Sequence, residues 1–218
     1  HIRRLASEGS RPRLPWSFRL EAVQADPQLA AGILDRLKAD ESLYVRKSVA
    51  NHLNDVTKVH PEWVLDTIEG WSLENKHTAW IAKHALRSLI KQGDLRALTV
   101  IGAGGKPEVE LLDVKVEPAV VRLGEAITLS FVVKSTVAEE QRLVIDYAID
   151  YVKANGGVSG KVFKLKTVVL PGFGSVVVGR RQVIKDFTTR KHFVGGHGVR
   201  VMVNGEVLAA TAFNIIAG

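Results

Sequence analysis

Three short segments of this chain repeat one another. Ile2-Arg3-Arg4-Leu5-Ala6-Ser7-Glu8, Val45-Arg46-Lys47-Ser48-Val49-Ala50-Asn51 and Ile81-Ala82-Lys83-His84-Ala85-Leu86-Arg87 align position by position, with first residues 43 and 36 apart. A period in this range marks helix pairs that cannot bury their apolar stripes alone and therefore stack into a curved solenoid. Equivalent helices then line one concave wall. Glu8, Asn51 and Arg87 occupy the same place on three successive rungs, and Asp55 lies one turn beyond Asn51.

The middle rung is the clearest amphipathic segment. From Leu43 to Lys58, with Ser42 as its cap, Val45, Val49, Leu53 and Val56 recur at helical spacing. Lys47, Asn51, Asn54, Asp55 and Lys58 form the other side, a front of amides, a carboxylate and cations suited to a polar, anionic partner. Around it, His1 to Glu8 reads as a helix stopped by Gly9. Arg11-Pro12-Arg13-Leu14-Pro15-Trp16 is a basic, proline-stiffened connector. A short helix covers Phe18, Leu20 and Val23, and Asp26-Pro27 opens one that runs through Leu37. Pro61 starts the next, which ends before Gly70. A long helix spans Trp80 to Ile90 and stops at Gly93, and Asp94 caps the last. The chain opens at His1-Ile2-Arg3-Arg4, inside a helical pattern, which leads us to expect further repeats upstream.

At Gly102 to Pro107 (GAGGKP) the pattern changes. Seven β-branched runs follow, at Val109–Val116, Ala126–Val133, Leu143–Tyr151, Val162–Val168, Ser175–Val183, Gly198–Val203 and Val207–Phe213. Asn204-Gly205 between the last two signals a tight hairpin. Seven short strands in roughly 110 residues imply an immunoglobulin-like β-sandwich, here without an inter-sheet disulfide because the chain has no cysteine. The reading is a HEAT-like α-solenoid over residues 1–103, a linker at 104–108 and a sandwich over 109–218.

The absence of cysteine also removes thiol nucleophiles and Cys-ligated zinc. No apolar run approaches the length of a membrane span and no export signal is visible, so a cytoplasmic monomer is expected. The net charge is +7, with 16 Lys/Arg against 12 Asp/Glu in residues 1–106 and 14 against 11 in the remainder. Both halves are mildly basic, which is compatible with nucleic acid without identifying it. No Walker or dinucleotide fingerprint is present.

HIRRLASEGSRPRLPW, DESLYVRKSVANHLNDVTKVHPE and TAWIAKHALRSLIKQGD resemble the AlkC branch of the HEAT-like-repeat DNA alkylation-repair glycosylases, relatives of AlkD. That branch carries an immunoglobulin-like domain after its repeats, matching the change near residue 105. The resemblance implies excision of cationic N3-methylated bases, such as 3-methyladenine and 3-methylcytosine, from double-stranded DNA without full flipping of the nucleotide.

Such a base is already a good leaving group, and its departure moves positive charge onto the sugar. The protein group required is a fixed carboxylate beside that sugar. A unit pair ~4 Å apart at an effective dielectric of ~20 is worth about 4 kcal/mol, roughly a thousandfold in rate when confined to the transition state. No metal or organic cofactor is needed. Asp55 is the first candidate and Glu8 the second. The bland alternative for Asp55 is a solvated carboxylate or a partner of Lys58. Glu8 sits at a helix C-terminus, where a carboxylate opposes the dipole and needs compensation from Arg11 or Arg13, or a functional role.

For DNA contact the candidates are Arg11, Arg13, Lys47, Asn51, Lys83 and Arg87, with Trp16 as a stacking residue. Trp63 and Trp80 lie at helical spacing with aliphatics and read as core. In the sandwich, Arg190, Lys191 and His192 belong to a Gly-rich basic loop that also holds His197, either a groove contact or a plain hairpin end, with no metal site. Asp146 and Asp150 alternate as an exposed polar face. A non-catalytic scaffold that grips DNA or protein is the rival to an enzyme, and an adhesion-type module is the third reading.

Overall fold

The computed structural model describes residues 1–186 and 191–217, in two compact units, His1–Gly104 and Gly105–Gly218. The first contains α1 (Ile2–Gly9), α2 (Glu21–Ala25), α3 (Gln28–Leu37), α4 (Leu43–Val56), α5 (Pro61–Glu69), α6 (Lys76–Ala85), α7 (Arg87–Gln92) and α8 (Leu95–Val100). The 3.6-residue period of α4 places Val45, Val49, Leu53 and Val56 in the core, each at most 3% exposed. α4 packs against both α1 and α6, so the three repeated segments are neighbours in the order of the chain.

Capping follows local chemistry. Pro61 occupies the first turn of α5, where its missing N–H costs nothing. Asn75 accepts from the amides of His77 and Thr78 at the start of α6, and Asp94 accepts from Ala97 N–H at 2.8 Å at the start of α8. Ser42 holds the N-cap position of α4, but its hydroxyl makes no capping bond; Asp40 instead accepts the Ser42 amide at 2.8 Å.

Two expectations for the helices are corrected. The long helix predicted over 80–90 is broken at Leu86 into α6 and α7. Two carbonyls there are occupied by side chains: Arg87 Nη1 donates to His84 O at 2.5 Å and Asn54 Nδ2 to Ala85 O at 2.8 Å. Of the tryptophans in helices and their ends, Trp71 is the buried one. Trp63 is half-buried and donates to Gln28, and Trp80 is half-buried, stacked on His84 at 3.7 Å with the Arg46 guanidinium over its ring.

The second unit contains β1 (Val109–Glu117), β2 (Val120–Arg122), β3 (Ala126–Ser135), β4 (Gln141–Val152), β5 (Val158–Leu170), β6 (Ser175–Val183), β7 (Gly195–Val203) and β8 (Glu206–Ile216). One sheet has the order β1-β3-β6 and the other β2-β8-β7-β4-β5. Pairing is antiparallel except for β2 with β8. Alternate residues of both sheets, including Leu129, Phe131, Ile145, Tyr147, Val201 and Phe213, form one core between them. Asn204 and Gly205 make the expected tight turn, both at positive φ (47° and 82°). Asn204 does more than turn: its Oδ1 accepts from Val144 N–H at 2.9 Å and its backbone amide donates to Val144 O.

Three readings in this unit are also corrected. Asp146 is buried, set in register between Lys164 of β5 and Met202 of β7, and Asp150 is half-buried with both oxygens held by Arg200 at 2.8 Å. His197 is not in a loop: it lies in β7, fully buried, stacked on Phe213 at 5.3 Å. Replacing Asn204 by alanine removes the acceptor of a buried amide at a site that also favours Asn conformationally. We expect a loss of about 1–3 kcal/mol, read as faster hydrogen exchange at the Val144 amide, the amide that loses its acceptor.

Candidate active site

The end of α1 and the turn that follows it put Glu8 and Arg11 on one side of the chain reversal, with Arg11 N–H donating to Glu8 O at 3.2 Å. α4 supplies Ser48, His52 and Asp55 from the adjoining helix. The Arg11 guanidinium joins the two carboxylates. Its Nη1 donates to Glu8 Oε1 at 2.5 Å, and its Nε and Nη2 donate to Asp55 Oδ2 at 3.1 and 2.8 Å. The other oxygens are also occupied: Ser48 Oγ donates to Glu8 Oε2 at 2.7 Å and Lys58 Nζ to Asp55 Oδ1 at 3.2 Å. Arg4 Nη2 approaches Glu8 Oε2 at 3.4 Å. Two carboxylates thus share three cations and a hydroxyl.

Burial makes this arrangement consequential. The Arg11 and Asp55 side chains are each 8% exposed, and Glu8 is the most open of the three at 17%. Charges removed from water lose several kcal/mol of solvation and are tolerated only when paired and hydrogen-bonded. Burial by itself pushes the Glu8 carboxyl up, but hydrogen bonds from Ser48 and Arg11 and the charges of Arg11 and Arg4 outweigh it and hold Glu8 below the usual carboxylate range. His52, fully buried beside them, has its Nδ1 3.1 Å from Ser7 O, tying α4 to α1. Burial pushes its imidazole down, against the pull of the Ser7 carbonyl, and Arg11 adds to the depression. Glu8 also opens onto a surface hollow lined by His1, Ile2, Arg4, Leu5 and Tyr44, where the Arg4 guanidinium lies 4.1 Å from the Tyr44 ring centroid and bonds its hydroxyl.

Placement of the expected residues is mixed. Glu8 and Asp55 come together around one cation. Asp55 is not on an open polar front, and neither is Asn54, which is buried and donates to Ala85 O and Ser88 Oγ. Arg11 is buried, its guanidinium committed to the two carboxylates, so it is not the exposed phosphate contact expected of a connector arginine. Arg13 is half-buried with Nε on Gln24 Oε1 at 3.2 Å. Trp16 is fully exposed with a φ of 62°. Lys47 and Arg87 are exposed, and Lys83 and Asn51 half-buried. Arg87 Nη2 donates to Asn51 Oδ1 at 3.1 Å, joining equivalent rungs of neighbouring repeats. In the β unit, Lys191 is exposed at a hollow that Lys153 and Lys161 also line. His192 is buried, its ring edge-on to Tyr151 and its amide donating to Asp186, so it does not offer its ring to a groove. Arg190 lies outside the described residues. Ser48 and His52 were missed; their only sequence signal is a hydroxyl and an imidazole inside a helix, on the side turned toward α1.

Residues 110–217 match the family described as "Uncharacterised protein YhaZ, C-terminal Ig-like domain". YhaZ of Bacillus subtilis (strain 168) is 44% identical over 99% of this chain. The solved structure of Pseudomonas fluorescens alkylpurine DNA glycosylase AlkC, bound to DNA containing an abasic site analogue, is 64% identical over 100% of this chain, with a TM-score of 0.97. Across its whole length this chain is similar to both proteins. It spans 60% of the length of each of these two relatives. The β unit is immunoglobulin-like, and no helix among the described residues is long and apolar enough to cross a membrane.

Two outcomes follow from the charges. Arg11→Leu leaves the buried Asp55 and the half-buried Glu8 without their shared cation and should cost about 3–5 kcal/mol at neutral pH. Denaturant titration of this variant measures the loss. The depressed His52 lets the unfolded chain bind the extra proton below its usual pKa near 6.5, and the depressed Glu8 does the same below about 4.5. Stability should therefore fall with acidification through both windows, and His52→Gln should remove the upper one.

Proposed function

We propose that this chain carries the carboxylate centre of a DNA glycosylase that excises cationic alkylated bases by hydrolysis of the glycosidic bond. The observation that carries the reading is the Glu8–Arg11–Asp55 cluster, two carboxylates held by one cation at a defined place in a mildly basic helical unit of a chain similar to AlkC and YhaZ. A carboxylate fixed before reaction pays no reorganisation when positive charge appears on the sugar. Glu8, the more open group and a lining residue of the surface hollow, takes the place beside the sugar and orients the attacking water. Asp55, behind Arg11, keeps that cation in place and adds negative potential.

In the same reading the helical unit is a segment of a HEAT-like solenoid. Its α4 presents Lys47 and Asn51, α6 Lys83 and α7 Arg87 to the duplex, with Arg13 and Trp16 contributing from the connector. Lys191, beside Lys153 and Lys161, meets phosphates from the immunoglobulin-like unit. The proposed substrate is double-stranded DNA with N3-alkylated bases, acted on by a cytoplasmic monomer.

The test is release of 3-methyladenine from alkylated duplex by the whole protein. Glu8→Gln should lower the rate by two to three orders of magnitude and Asp55→Asn by at least tenfold, with DNA affinity largely kept. Unchanged release in both variants removes the carboxylate assignment and leaves a binding scaffold. Separately, alanine at Lys47, Lys83 or Arg87 should each flatten the salt dependence of DNA affinity by about one unit of slope if the residue neutralises a phosphate.

A further inference from the structure

Ser48 has an unusual partner for a hydroxyl in mid-helix. Such a serine ordinarily returns its proton to the carbonyl one turn back. Here Oγ reaches across to α1 and donates to Glu8 Oε2 at 2.7 Å, with Ser48 1% exposed. The two other places in the repeat register, Leu5 and His84, carry side chains of different chemistry, so the hydroxyl is particular to the rung that faces Glu8. With Arg11 holding Oε1 and Ser48 holding Oε2, the carboxylate is fixed from two helices, and its plane cannot rotate without losing one of the two bonds.

We propose that Ser48 is a positioning residue that orients the Glu8 carboxylate and keeps it ionised; this rests on the reading of Glu8 as the group beside the sugar. Arg4, at 3.4 Å, is the remaining cation on Oε2. The hydroxyl gives up no proton and makes no bond to substrate. Its effect passes through Glu8, in the balance between the charged and neutral carboxyl.

Two measurements on the whole protein separate the claim from the reading beneath it. Carboxyl carbon-13 titration of Glu8 should move up by about one pH unit in Ser48→Ala, since loss of one charge-assisted hydrogen bond is worth roughly that. Ser48→Thr should return it toward the original value. The acid limb of the kcat/KM profile for base release should shift in parallel, so that the variant is roughly tenfold slower at pH values near the limb and recovers much of its rate at higher pH. If Glu8 titrates unchanged in Ser48→Ala, the positioning role is wrong. If Glu8 titration shifts while Glu8→Gln is fully active, the hydrogen bond exists but Glu8 is not the catalytic group, and the catalytic part of the proposal falls. Should Ser48→Ala fail to fold, Ser48→Cys, of similar size with a weaker donor, should show a smaller upward shift of the same sign; no shift there overturns the proposal equally.

Discussion

One guanidinium between a buried carboxylate and a half-buried one governs the helical unit. Arg11 touches Glu8 from its own turn and Asp55 from α4, and it makes two charges tolerable where water is largely excluded. Each partner alone would be a liability: a buried lone carboxylate would take a proton, and a buried lone arginine cannot lose one. Together they form a charged centre whose geometry is set by folding. Lys58 and Ser48 complete it by taking the outer oxygens, and His52, held neutral by burial, ties the two helices without adding to the charge.

The fold serves that centre by stacking equivalent helices. Because α1 and α4 are successive copies of one pattern, a residue near the end of α1 and one near the end of α4 fall side by side. The connector between Gly9 and Trp16 then has only to drop one arginine between them. The same stacking brings Arg87 to Asn51 on the next rung. Helices stacked this way carry polar groups at regular steps.

The apolar architecture was legible because it is periodic. Val45, Val49, Leu53 and Val56 reveal α4, and β-branched runs reveal every described strand except the three-residue β2; Asn204-Gly205 names its own turn. What escaped the sequence is what periodicity does not encode. Arg11 in a basic, proline-rich connector looks like a phosphate contact, and nothing local says that its partner lies 44 positions away. Asp55 and Asn54 look like a polar front because burial among other polar groups leaves no apolar signature. His192 and His197 share a glycine-rich segment that reads as a loop, yet His197 lies within β7 and both rings are buried against aromatic neighbours. The break at Leu86 was hidden for the same reason: the side chains that occupy its carbonyls come from Arg87 and from a different helix.

As proposed, the Glu8–Arg11–Asp55 centre is complementary to positive charge on the sugar, and affinity for a charge-bearing analogue measures that directly. Duplexes with a neutral tetrahydrofuran abasic site and with a cationic pyrrolidine in the same position differ chiefly in that charge. The pyrrolidine duplex should bind about tenfold tighter or more, with the preference abolished by joint substitution of Glu8 and Asp55 by their amides. Equal affinity for the two duplexes, or a preference that survives loss of both carboxylates, would contradict it.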